Sequence, residues 1–368
     1  MAGQPHGGRR PQEPETVHLQ SVRGFVVFDL PGAPASAGGT RLAPDVTRAE
    51  VALLARAMTY KYGALGARMG GAKAGLVGDP ADRAGRAARM ARYCDEIGPL
   101  CESGRFLTGP DMGTFEEDFA PLRARRAVPG AMSAVVDGVP FEDLLTGYGV
   151  AVAAETALSA TTGGDWHGRS AAIEGFGKVG GGVAREVVRR GGRVVAVSTV
   201  AGSVADPSGL DVERLLELRG DCGDDCVAQY GRPVAPPAGL FTAEADVIVP
   251  GARPGVVSSA VAQSLAPAVR VVAPAANVPY TTAGAEVLRG RRIAALPDFV
   301  CNAGAVLGYR SAPGETPAQV LAAAGNRISE IIALALDHPG GPLAGACAHA
   351  AAFLRTWWGE PPPPPFAA

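Results

Sequence analysis

Residues 170–198 read SAAIEGFGKVGGGVAREVVRRGGRVVAVS, and this stretch decides the fold. A short apolar run, Ala171–Ile173, precedes a Gly-x-Gly-x-x-Gly turn at Gly175–Gly180, and a helical pattern follows through Arg190. A second apolar run, Val194–Val197, predicts the next strand. Between a strand and a helix, the glycines permit a tight turn and the approach of a pyrophosphate to the helix N-terminus. The stretch therefore predicts a βαβ unit that binds a dinucleotide.

The turn supplies most of the predicted coenzyme contacts. They are Gly175, Phe176, Gly177, Lys178, Val179 and Gly180. An acidic residue is expected at the end of the second strand, where it would bind the adenosine ribose, but Ser198 and Thr199 stand there. Neither repels a 2′-phosphate, and no arginine between 194 and 212 attracts one. We assign NAD as the coenzyme and leave NADP open.

A second informative stretch, residues 58–80, reads MTYKYGALGARMGGAKAGLVGDP and holds Lys61 and Lys73, 12 positions apart. No bulky side chain lies within two residues of Lys73. Small neighbours predict a tight backbone turn and a poorly solvated lysine, whose pKa would fall towards neutrality and suit a general base. A solvated surface lysine after a glycine turn is the alternative interpretation.

This stretch resembles the lysine-bearing segment of the glutamate/leucine/phenylalanine/valine dehydrogenase family, where a Thr-Tyr-Lys or similar triplet precedes Gly-Gly-x-Lys and an Asp-Pro follows. The resemblance implies that Lys61 binds the substrate α-carboxylate and that Lys73 is the catalytic base. Residues 107–114, LTGPDMGT, resemble the family's Pro-Asp-Met-Gly-Thr context, which implies a catalytic Asp111 that moves protons to and from the amine. Simple turn chemistry is the alternative for this aspartate.

Further motifs follow in the family's order. Gly38 and Gly39 begin a Gly-Gly-x-Arg sequence that resembles the substrate loop. Thr146 begins Thr-Gly-x-Gly-Val, which resembles the entry into a long helix and implies a contact with the nicotinamide. The residues between 129 and 145 depart from the family's Gly/Ser-rich segment, which leaves their substrate contacts open.

Two later segments complete the resemblance. Pro274-Ala275-Ala276-Asn277 is similar to a Gly-Ala-Asn segment, which implies that Ala275 and Asn277 contact the coenzyme. Residues 297–305, PDFVCNAGA, resemble Pro-Asp-x-x-x-Asn-Ala-Gly-Gly, whose asparagine, Asn302 here, approaches the substrate amine.

Two positions bear on the substrate side chain. Ala37 stands where glutamate-specific members of the family carry a lysine, and Tyr309 stands where they carry a serine. A buried carboxylate without its cation would be costly, so these residues favour a neutral branched-chain or aromatic substrate. The alternative is that Ala37 is only a loop residue.

The length of 368 residues suggests two domains. The resemblance covers about residues 22–340 and implies an α/β protein with an N-terminal substrate-binding and oligomerisation domain, a Rossmann-type dinucleotide-binding domain, and an active site in the cleft between them. The expected boundaries are a disordered tail at 1–16, the first domain at 17–145, the Rossmann domain at 146–308, helices returning to the first domain at 309–355, and a Pro-rich tail at 356–368.

Composition narrows the remaining classes. A net charge of −2 gives no electrostatic case for nucleic acid or an anionic membrane, and the polar N-terminus lacks a secretory core. We found no apolar run of membrane-spanning length and expect a cytoplasmic homo-oligomer whose partners are small molecules. The six cysteines are expected to be mostly reduced, and no metal site is predicted, because Cys222 and Cys226 have no second ligand pair.

The residues alone predict a two-domain α/β protein that binds a dinucleotide. The resemblance adds the reaction, which is NAD(P)-dependent, reversible oxidative deamination of an L-α-amino acid to a 2-oxo acid and ammonia. Two alternatives stay open. One is another nicotinamide-dependent oxidoreductase, such as a hydroxy-acid dehydrogenase, and the other is a catalytically silent relative that binds coenzyme in a regulatory role.

Overall fold

The computed structural model describes residues 13–123, 129–136 and 139–366. They form two compact units, and the second unit begins at residue 129 and ends at 346, while the chain from 347 onward belongs to the first unit. Both units contain a sheet with helices, so the predicted two-domain α/β class is confirmed.

The first unit is built on one six-stranded sheet with the order β1-β2-β5-β3-β6, in which β4 also pairs with β5. Its strands are β1 (Glu15–His18), β2 (Gly24–Phe28), β3 (Ser36–Ala37), β4 (Thr40–Ala43), β5 (Gly70–Val77) and β6 (Phe106–Leu107). Its first helices are α1 (Arg48–Ala64), α2 (Arg83–Glu102) and α3 (Ala120–Arg123), with a 3-10 helix at Glu116–Phe119.

The N-terminal tail ends earlier than expected. Glu15 and Thr16 belong to β1, where they pair with Phe28 and Val27 of β2. The expected disorder of residues 1–16 is wrong for these two positions, because backbone pairing orders them. The rest of that prediction, up to residue 12, lies outside the described residues.

Strand β5 replaces the turn that we expected around Lys73. A Cβ atom at Gly71 would lie 1.9 Å from the carbonyl oxygen of Ala55 in α1, and one at Gly75 would lie 2.8 Å from Val51. The glycines therefore allow the helix to approach the strand closely, which is a different use of glycine from the predicted bend. Lys73, two residues from each glycine, projects from the same face of the strand.

The opposite face of β5 is apolar. Ala72, Ala74 and Leu76 pack with α2 side chains and with Phe28 and Phe106 in one core cluster. Burial of this face fixes the register of β5 and hence the face on which Lys73 lies.

The capping pattern Thr47-x-x-Glu50, followed by apolar residues at helical spacing, predicts a helix over residues 47–60 with Lys61 at or just past its end. Helix α1 begins where this pattern predicts. The Thr47 hydroxyl accepts a hydrogen bond from the Glu50 amide at 3.2 Å. The helix continues to Ala64, so Lys61 lies inside its last turn and not at or beyond its end, as we had expected. Its C-terminal turn is buried, and burial by tertiary contacts extends the helix past the sequence pattern.

The second unit has a six-stranded sheet with the order β11-β10-β9-β12-β13-β14, and a separate hairpin of β7 and β8. The strands are β7 (Val135–Val136), β8 (Val139–Pro140), β9 (Ser170–Glu174), β10 (Arg193–Thr199), β11 (Gly202–Ala205), β12 (Val247–Val249), β13 (Val271–Val272) and β14 (Ala294–Ala295). Strand β11 alone pairs antiparallel in the larger sheet, and the other pairs are parallel, as in a Rossmann-type domain.

Helices surround this sheet. They are α4 (Phe141–Thr162), α5 (Lys178–Arg189), α6 (Val212–Cys222), α7 (Cys226–Gln229), α8 (Ser259–Ser264), α9 (Thr282–Gly290), α10 (Asp298–Cys301), α11 (Gly304–Gly308) and α12 (Pro317–Leu336). Short 3-10 helices occupy Gly130–Ser133, Gly223–Asp225 and Pro237–Thr242.

The unit boundaries differ from the expected ones at 145/146 and 308/309. Helix α4 is continuous from Phe141, so Thr146 lies inside it and does not mark its entry. Gly147 approaches α5, because a Cβ there would lie 2.6 Å from the Gly182 carbonyl carbon. Gly149 approaches α10, because a Cβ there would lie 2.8 Å from the Cys301 carbonyl oxygen. The glycines of this motif thus allow close packing between helices.

Helix α12 was expected to return to the first domain, yet it lies in the second unit and packs on α4. Among the described residues it is the one helix long and apolar enough to cross a membrane, a possibility that our search for apolar runs missed. Its buried residues, which include Ile328 and Ile332, recur on one side, as in a helix that packs on a core.

The C-terminal segment packs onto the first unit. Helix α13 (Pro342–Arg355) leads into Trp358, which clusters with Leu30 and Leu354. The Tyr60 hydroxyl donates to the Pro362 carbonyl at 2.7 Å, and Arg56 donates to the Pro363 carbonyl at 2.8 Å. The segment expected as a rigid Pro-rich tail is therefore docked on α1 over the residues described.

Candidate active site

Two cations meet one carboxylate in the first unit. Lys73 Nζ lies 3.1 Å from Asp111 Oδ2, and Arg41 Nε donates to the same oxygen at 3.2 Å. Lys73 and Arg41 are 3% and 5% exposed, so little water competes for this contact. The predicted catalytic pair is thus brought together, and the sequence reasoning gave no role to the arginine.

Backbone pairing places Asp111 beside the sheet. Thr40 forms a bridge with Pro110, and the Thr40 and Leu42 amides donate to the carbonyls of Gly109 and Met112. Gly113 closes the turn at φ +80°, a region that favours glycine. The turn chemistry considered for the aspartate is therefore real, and it is also what aims the carboxylate at Lys73.

The charges around Asp111 outweigh its burial. Burial by itself raises the pKa of this carboxyl, but the ammonium of Lys73 and the guanidinium of Arg41 hold the pKa below its usual range. Asp111 is therefore ionised at neutral pH and can accept a proton or stabilise a cationic amine.

The other predicted substrate residues of the first unit lie in β3, in the loop that follows it and in α1. Gly39 lies against the aspartate turn, because a Cβ there would be 2.7 Å from the Pro110 carbonyl oxygen and 3.0 Å from Asp111 Cβ. A Cβ at Gly38 would be 1.7 Å from the Ala72 carbonyl oxygen. Ala37 pairs in register with Gly71, which places it on the same face of the sheet as Lys73. Lys61 is buried, with 5% exposure, in the last turn of α1.

The dinucleotide turn of the second unit has the predicted strand–turn–helix context. Gly177 caps α5, and a Cβ added to it would meet nothing within 4 Å. Gly175 has φ +82°, and a Cβ at Gly180 would lie 1.9 Å from the Gly175 carbonyl oxygen. Space at the helix N-terminus and close packing behind it suit a pyrophosphate.

Some predicted coenzyme residues are engaged within the protein. The Gly175 and Phe176 amides both donate to the Ser198 carbonyl at 3.0 Å, which ties the turn to the end of β10. Phe176 is itself buried, whereas Lys178 is exposed and pairs with Asp143 at 3.3 Å. Val179 follows in the first turn of α5.

The ribose end of the turn contains an acidic loop that the sequence reasoning did not use. Thr199 is buried, and its hydroxyl donates to the Asp224 carbonyl at 2.6 Å. The Asp224 carboxylate forms an ion pair with Arg219. Asp224 lies between Cys222 and Cys226, and no spacing rule connects that loop to β10.

A buried carboxylate precedes the turn. Glu174 ends β9, and its Oε2 accepts from the Gly251 and Ala252 amides at 3.1 Å each. Burial raises the pKa of this carboxyl even though those amides and Arg253 act in the opposite direction. The signal that could have found it is an acidic residue at the carboxyl end of a central parallel strand, where ligands bind in such sheets.

The Pro-Asp-x-x-x-Asn motif holds the loop after β13. The Asn302 amide nitrogen donates to the Ala275 carbonyl and to Asn277 Oδ1 at 3.0 Å each. Asp298, one helical turn earlier, accepts from the Val278 amide at 2.8 Å. The four-residue spacing places both side chains on one side of α10, so the predicted Ala275, Asn277 and Asn302 form one group.

The two remaining predicted residues are Thr146, inside α4, and Tyr309, directly after α11. The Thr146 hydroxyl donates to the Glu142 carbonyl at 3.2 Å, and the Tyr309 hydroxyl donates to the Glu142 carboxylate at 2.7 Å. Tyr309 is 38% exposed, so it presents an accessible aromatic surface whose polar end already has an acidic partner. Glu142 lies in the segment that departs from the family and had no predicted role.

No group of three or more potential metal ligands occurs within residues 13–123, 129–136 and 139–366. The cysteines, all within those ranges, are free thiols. Cys226 is buried and Cys222 donates to the Leu218 carbonyl, so these two belong to helical packing.

The fold and these residues define a two-domain α/β protein of the nucleotide-binding dehydrogenase class. The Glu/Leu/Phe/Val dehydrogenase dimerisation-domain model matches residues 13–125, and the Glutamate/Leucine/Phenylalanine/Valine dehydrogenase model matches residues 138–309. The chain belongs to this family, whose coenzyme is NAD(P).

Individual proteins that resemble this chain in sequence or structure are named glutamate dehydrogenases. Glutamate dehydrogenases from Aeropyrum pernix and Halobacterium salinarum are 30% and 32% identical over 281 residues, which is 73% of this chain and 66% and 67% of theirs. The chain thus spans about two thirds of their length. A solved hetero-hexameric glutamate dehydrogenase from Thermus thermophilus, with leucine bound, has a TM-score of 0.77 at 26% identity and covers 89% of this chain and 82% of that one.

Proposed function

We propose that this protein catalyses the NAD-dependent, reversible oxidative deamination of a neutral L-α-amino acid, branched-chain or aromatic, to its 2-oxo acid and ammonia. The observation that carries the proposal is the ion pair between buried Lys73 and partly buried Asp111 at 3.1 Å. A lysine and a carboxylate at this distance can pass protons to and from an amine and a water molecule. Gly38 and Gly39 allow β5 and the aspartate turn to pack closely around this part of the sheet.

Each residue then has a chemical role. Lys61 binds the α-carboxylate, since a buried ammonium pairs favourably with a substrate anion. Asp111 takes a proton from the substrate ammonium and later returns one to the leaving ammonia. Lys73 activates the water that adds to the imine carbon, and its ammonium form then stabilises the carbinolamine oxygen. Asn302, held by Ala275 and Asn277, approaches the substrate amine.

The second unit supplies the coenzyme site in this proposal. Bound NAD provides the acceptor for the hydride of the substrate Cα–H. The open position at Gly177 and the N-terminus of α5 bind the pyrophosphate, and Gly180 lets the helix pack closely behind it. Thr146, Lys178 and Val179 complete the contacts, and Ser198 and Thr199 shape the ribose end. We keep NAD over NADP because no arginine lies between residues 194 and 212, directly after β10, to attract a 2′-phosphate.

The neutral substrate rests on two positions. Ala37 offers no cation on the face that bears Lys73, and it is itself 7% exposed. Tyr309 brings an aromatic ring together with the carboxylate of Glu142, which would repel a second substrate carboxylate. Burying apolar surface stabilises by about 25 cal/mol per Å², whereas an unpaired buried carboxylate costs several kcal/mol, of order 3–5.

Glutamate is the second candidate substrate, and the names of the relatives favour it. A panel of amino acids with NAD or NADP, followed by the absorbance of the reduced coenzyme, separates the two. We expect kcat/KM for leucine, valine or phenylalanine to exceed that for glutamate by more than tenfold. Equal or better use of glutamate would reject the neutral pocket and leave the reaction standing.

The same panel distinguishes an amino-acid dehydrogenase from two different classes of protein. A hydroxy-acid dehydrogenase would oxidise 2-hydroxy acids and ignore amino acids. A silent relative would bind coenzyme, seen by fluorescence titration, without reducing it on any amino acid.

The proposal also includes the subunit state of the protein and its location in the cell. The first unit is the substrate-binding and oligomerisation region, since residues 13–125 match a dimerisation-domain model. We therefore expect a homo-oligomer that works in the cytoplasm on small molecules. Light scattering of the purified chain gives its subunit number, and a monomeric mass would oppose this part of the proposal.

A further inference from the structure

We propose that Arg41 is a positioning residue for the reaction, which holds the Asp111 carboxylate beside Lys73 while Glu50 holds Arg41 in turn. This inference rests on the proposed function, because it assigns a partner to the proton-transfer group of that reaction. From the sequence, Arg41 had no assigned role, and Glu50 had only its place in the capping pattern of α1.

The sheet places the arginine and the lysine on a common face. Arg41 of β4 pairs in register with Gly75 of β5, and Lys73 lies two residues before Gly75. Side chains two residues apart share a face of a strand, so Arg41 and Lys73 project on the same side from neighbouring strands. Gly75 has no side chain to separate them.

The two cations share one carboxylate oxygen. Arg41 Nε lies 3.2 Å from Asp111 Oδ2, and Lys73 Nζ lies 3.1 Å from that same atom. The shared oxygen fixes the carboxylate between the two strands. Without the arginine, the aspartate would keep its bond to Lys73 but lose the second contact that sets its direction.

The other end of the guanidinium is also occupied. Arg41 Nη1 donates to Glu50 Oε1, in the first turn of α1. A guanidinium presents several donors in a rigid plane, so one side chain spans Glu50 and Asp111. The single ammonium of a lysine cannot span them in that geometry, although it keeps the charge.

The charge of Arg41 also acts on the proton of Asp111. The charged groups that the structure places in this cluster are Lys73 from β5, Arg41 from β4 and Glu50 from α1. Burial opposes ionisation, and the two cations together lower the pKa of Asp111 below its usual value. Loss of Arg41 removes one of the cations and raises that pKa. The acid limb of kcat/KM, where Asp111 becomes protonated, then moves to higher pH.

The test compares the pH profiles of kcat/KM for wild type, Arg41→Met and Arg41→Lys. We expect Arg41→Met to lower kcat/KM by about 10²-fold, the loss that a small misplacement of a reacting group produces, and to shift the acid limb upward. In Arg41→Lys the acid limb should return to its wild-type pH, because the positive charge is kept, but kcat/KM should recover only in part. The matched control is Arg86→Met, which removes a partly buried arginine from an ion pair, with Asp118, in the same unit. It should leave the acid limb in place.

A second measurement does not require turnover. A group with a depressed native pKa stabilises the fold above its unfolded pKa of about 3.9, and that stability is lost as pH falls through the native value. Denaturant unfolding of wild type and Arg41→Met at a series of acidic pH values, repeated in the Asp111→Asn background, isolates the interaction. We expect Arg41→Met to weaken the pH dependence of the free energy of unfolding only when Asp111 is present.

These results separate two failures. An unchanged acid limb and an unchanged unfolding profile in Arg41→Met would overturn the positioning role. If the wild type oxidises no amino acid, the proposed function fails, while the unfolding cycle still decides whether Arg41 acts on Asp111. If Arg41→Met does not fold, Arg41→Lys carries the test, and full wild-type activity in that variant would reject the need for a spanning guanidinium.

Discussion

The two units form their proposed sites in different ways. The first unit buries two cations, Lys73 and Arg41, which form an ion-paired cluster with the partly buried Asp111 on the face of a sheet. The second unit relies on backbone and on the absence of side chains, with Gly175, Gly177 and Gly180 shaping a turn before α5. The difference predicts that substitutions in the charged cluster of the first unit abolish proton transfer. Substitutions in the glycine turn of the second unit should instead alter the shape of the proposed coenzyme site.

Lys73→Ala should show the largest effect. Loss of a general acid–base group costs roughly 10²- to 10⁴-fold in rate, and the lysine belongs to a different unit from the dinucleotide turn. Steady-state kinetics should show the loss of kcat, while fluorescence titration should give an unchanged Kd for NAD. Turnover comparable with that of the wild type would end the assignment of Lys73 as the base.

A pair of glycine substitutions examines the second unit. A side chain at Gly177 meets open space in the protein, so Gly177→Val should fold and lose coenzyme affinity by roughly 10²-fold or more, since each 1.4 kcal/mol of lost contact is tenfold. A side chain at Gly180 collides with the Gly175 carbonyl oxygen, so Gly180→Val should lower the Tm itself. Calorimetry and NAD titration of both variants distinguish them. Normal NAD binding by Gly177→Val would show that the turn is only structural.

Ala37→Lys tests how the first unit selects its substrate. The new ammonium would lie on the face of Lys73, near a cation that is already present, and it has no predicted anionic partner for a neutral substrate. We expect kcat/KM for the neutral amino acid to fall by about 10- to 100-fold, equivalent to about 1.4–2.8 kcal/mol, while some glutamate activity appears. Ala37→Met, which has similar length and no charge, is the control. Equal losses in both variants would assign the effect to size.

Tyr60→Phe should have the smallest effect. The Tyr60 hydroxyl donates to the Pro362 carbonyl, and a hydrogen bond of this kind contributes about 1 kcal/mol. Urea unfolding should show a loss of that order without a change in kcat. A large change in kcat would mean that the docked C-terminal segment acts on Lys61, the next residue of α1.

Local pattern predicted much of the second unit. Strand, glycine turn and helix follow one another within about 30 residues. Each of these elements has residues with the matching secondary-structure propensity or turn preference, so the sequence pattern predicts it. The spacing of Asp298 and Asn302 is likewise readable, because one helical turn fixes it.

The first unit was harder to predict, because its site depends on contacts between residues that are distant in sequence. Gly70 and Gly71 look like a turn, and only tertiary packing, of Ser36 against Gly70 and of α1 against Gly71, shows why a strand needs them. Arg41 reaches Asp111 across 70 positions, and the arginine carried no signal beyond its place in a short motif. The docking of the segment after Trp358 on α1 spans about 300 positions, which no local pattern encodes.

The most direct test of the proposed reaction is the oxidation of NADH by the 2-oxo acid of leucine, measured with and without ammonia. We expect oxidation only when ammonia is present, with leucine as the product, and a slower reaction with 2-oxoglutarate. Oxidation of NADH that proceeds equally well without ammonia, and gives a 2-hydroxy acid, would contradict the account.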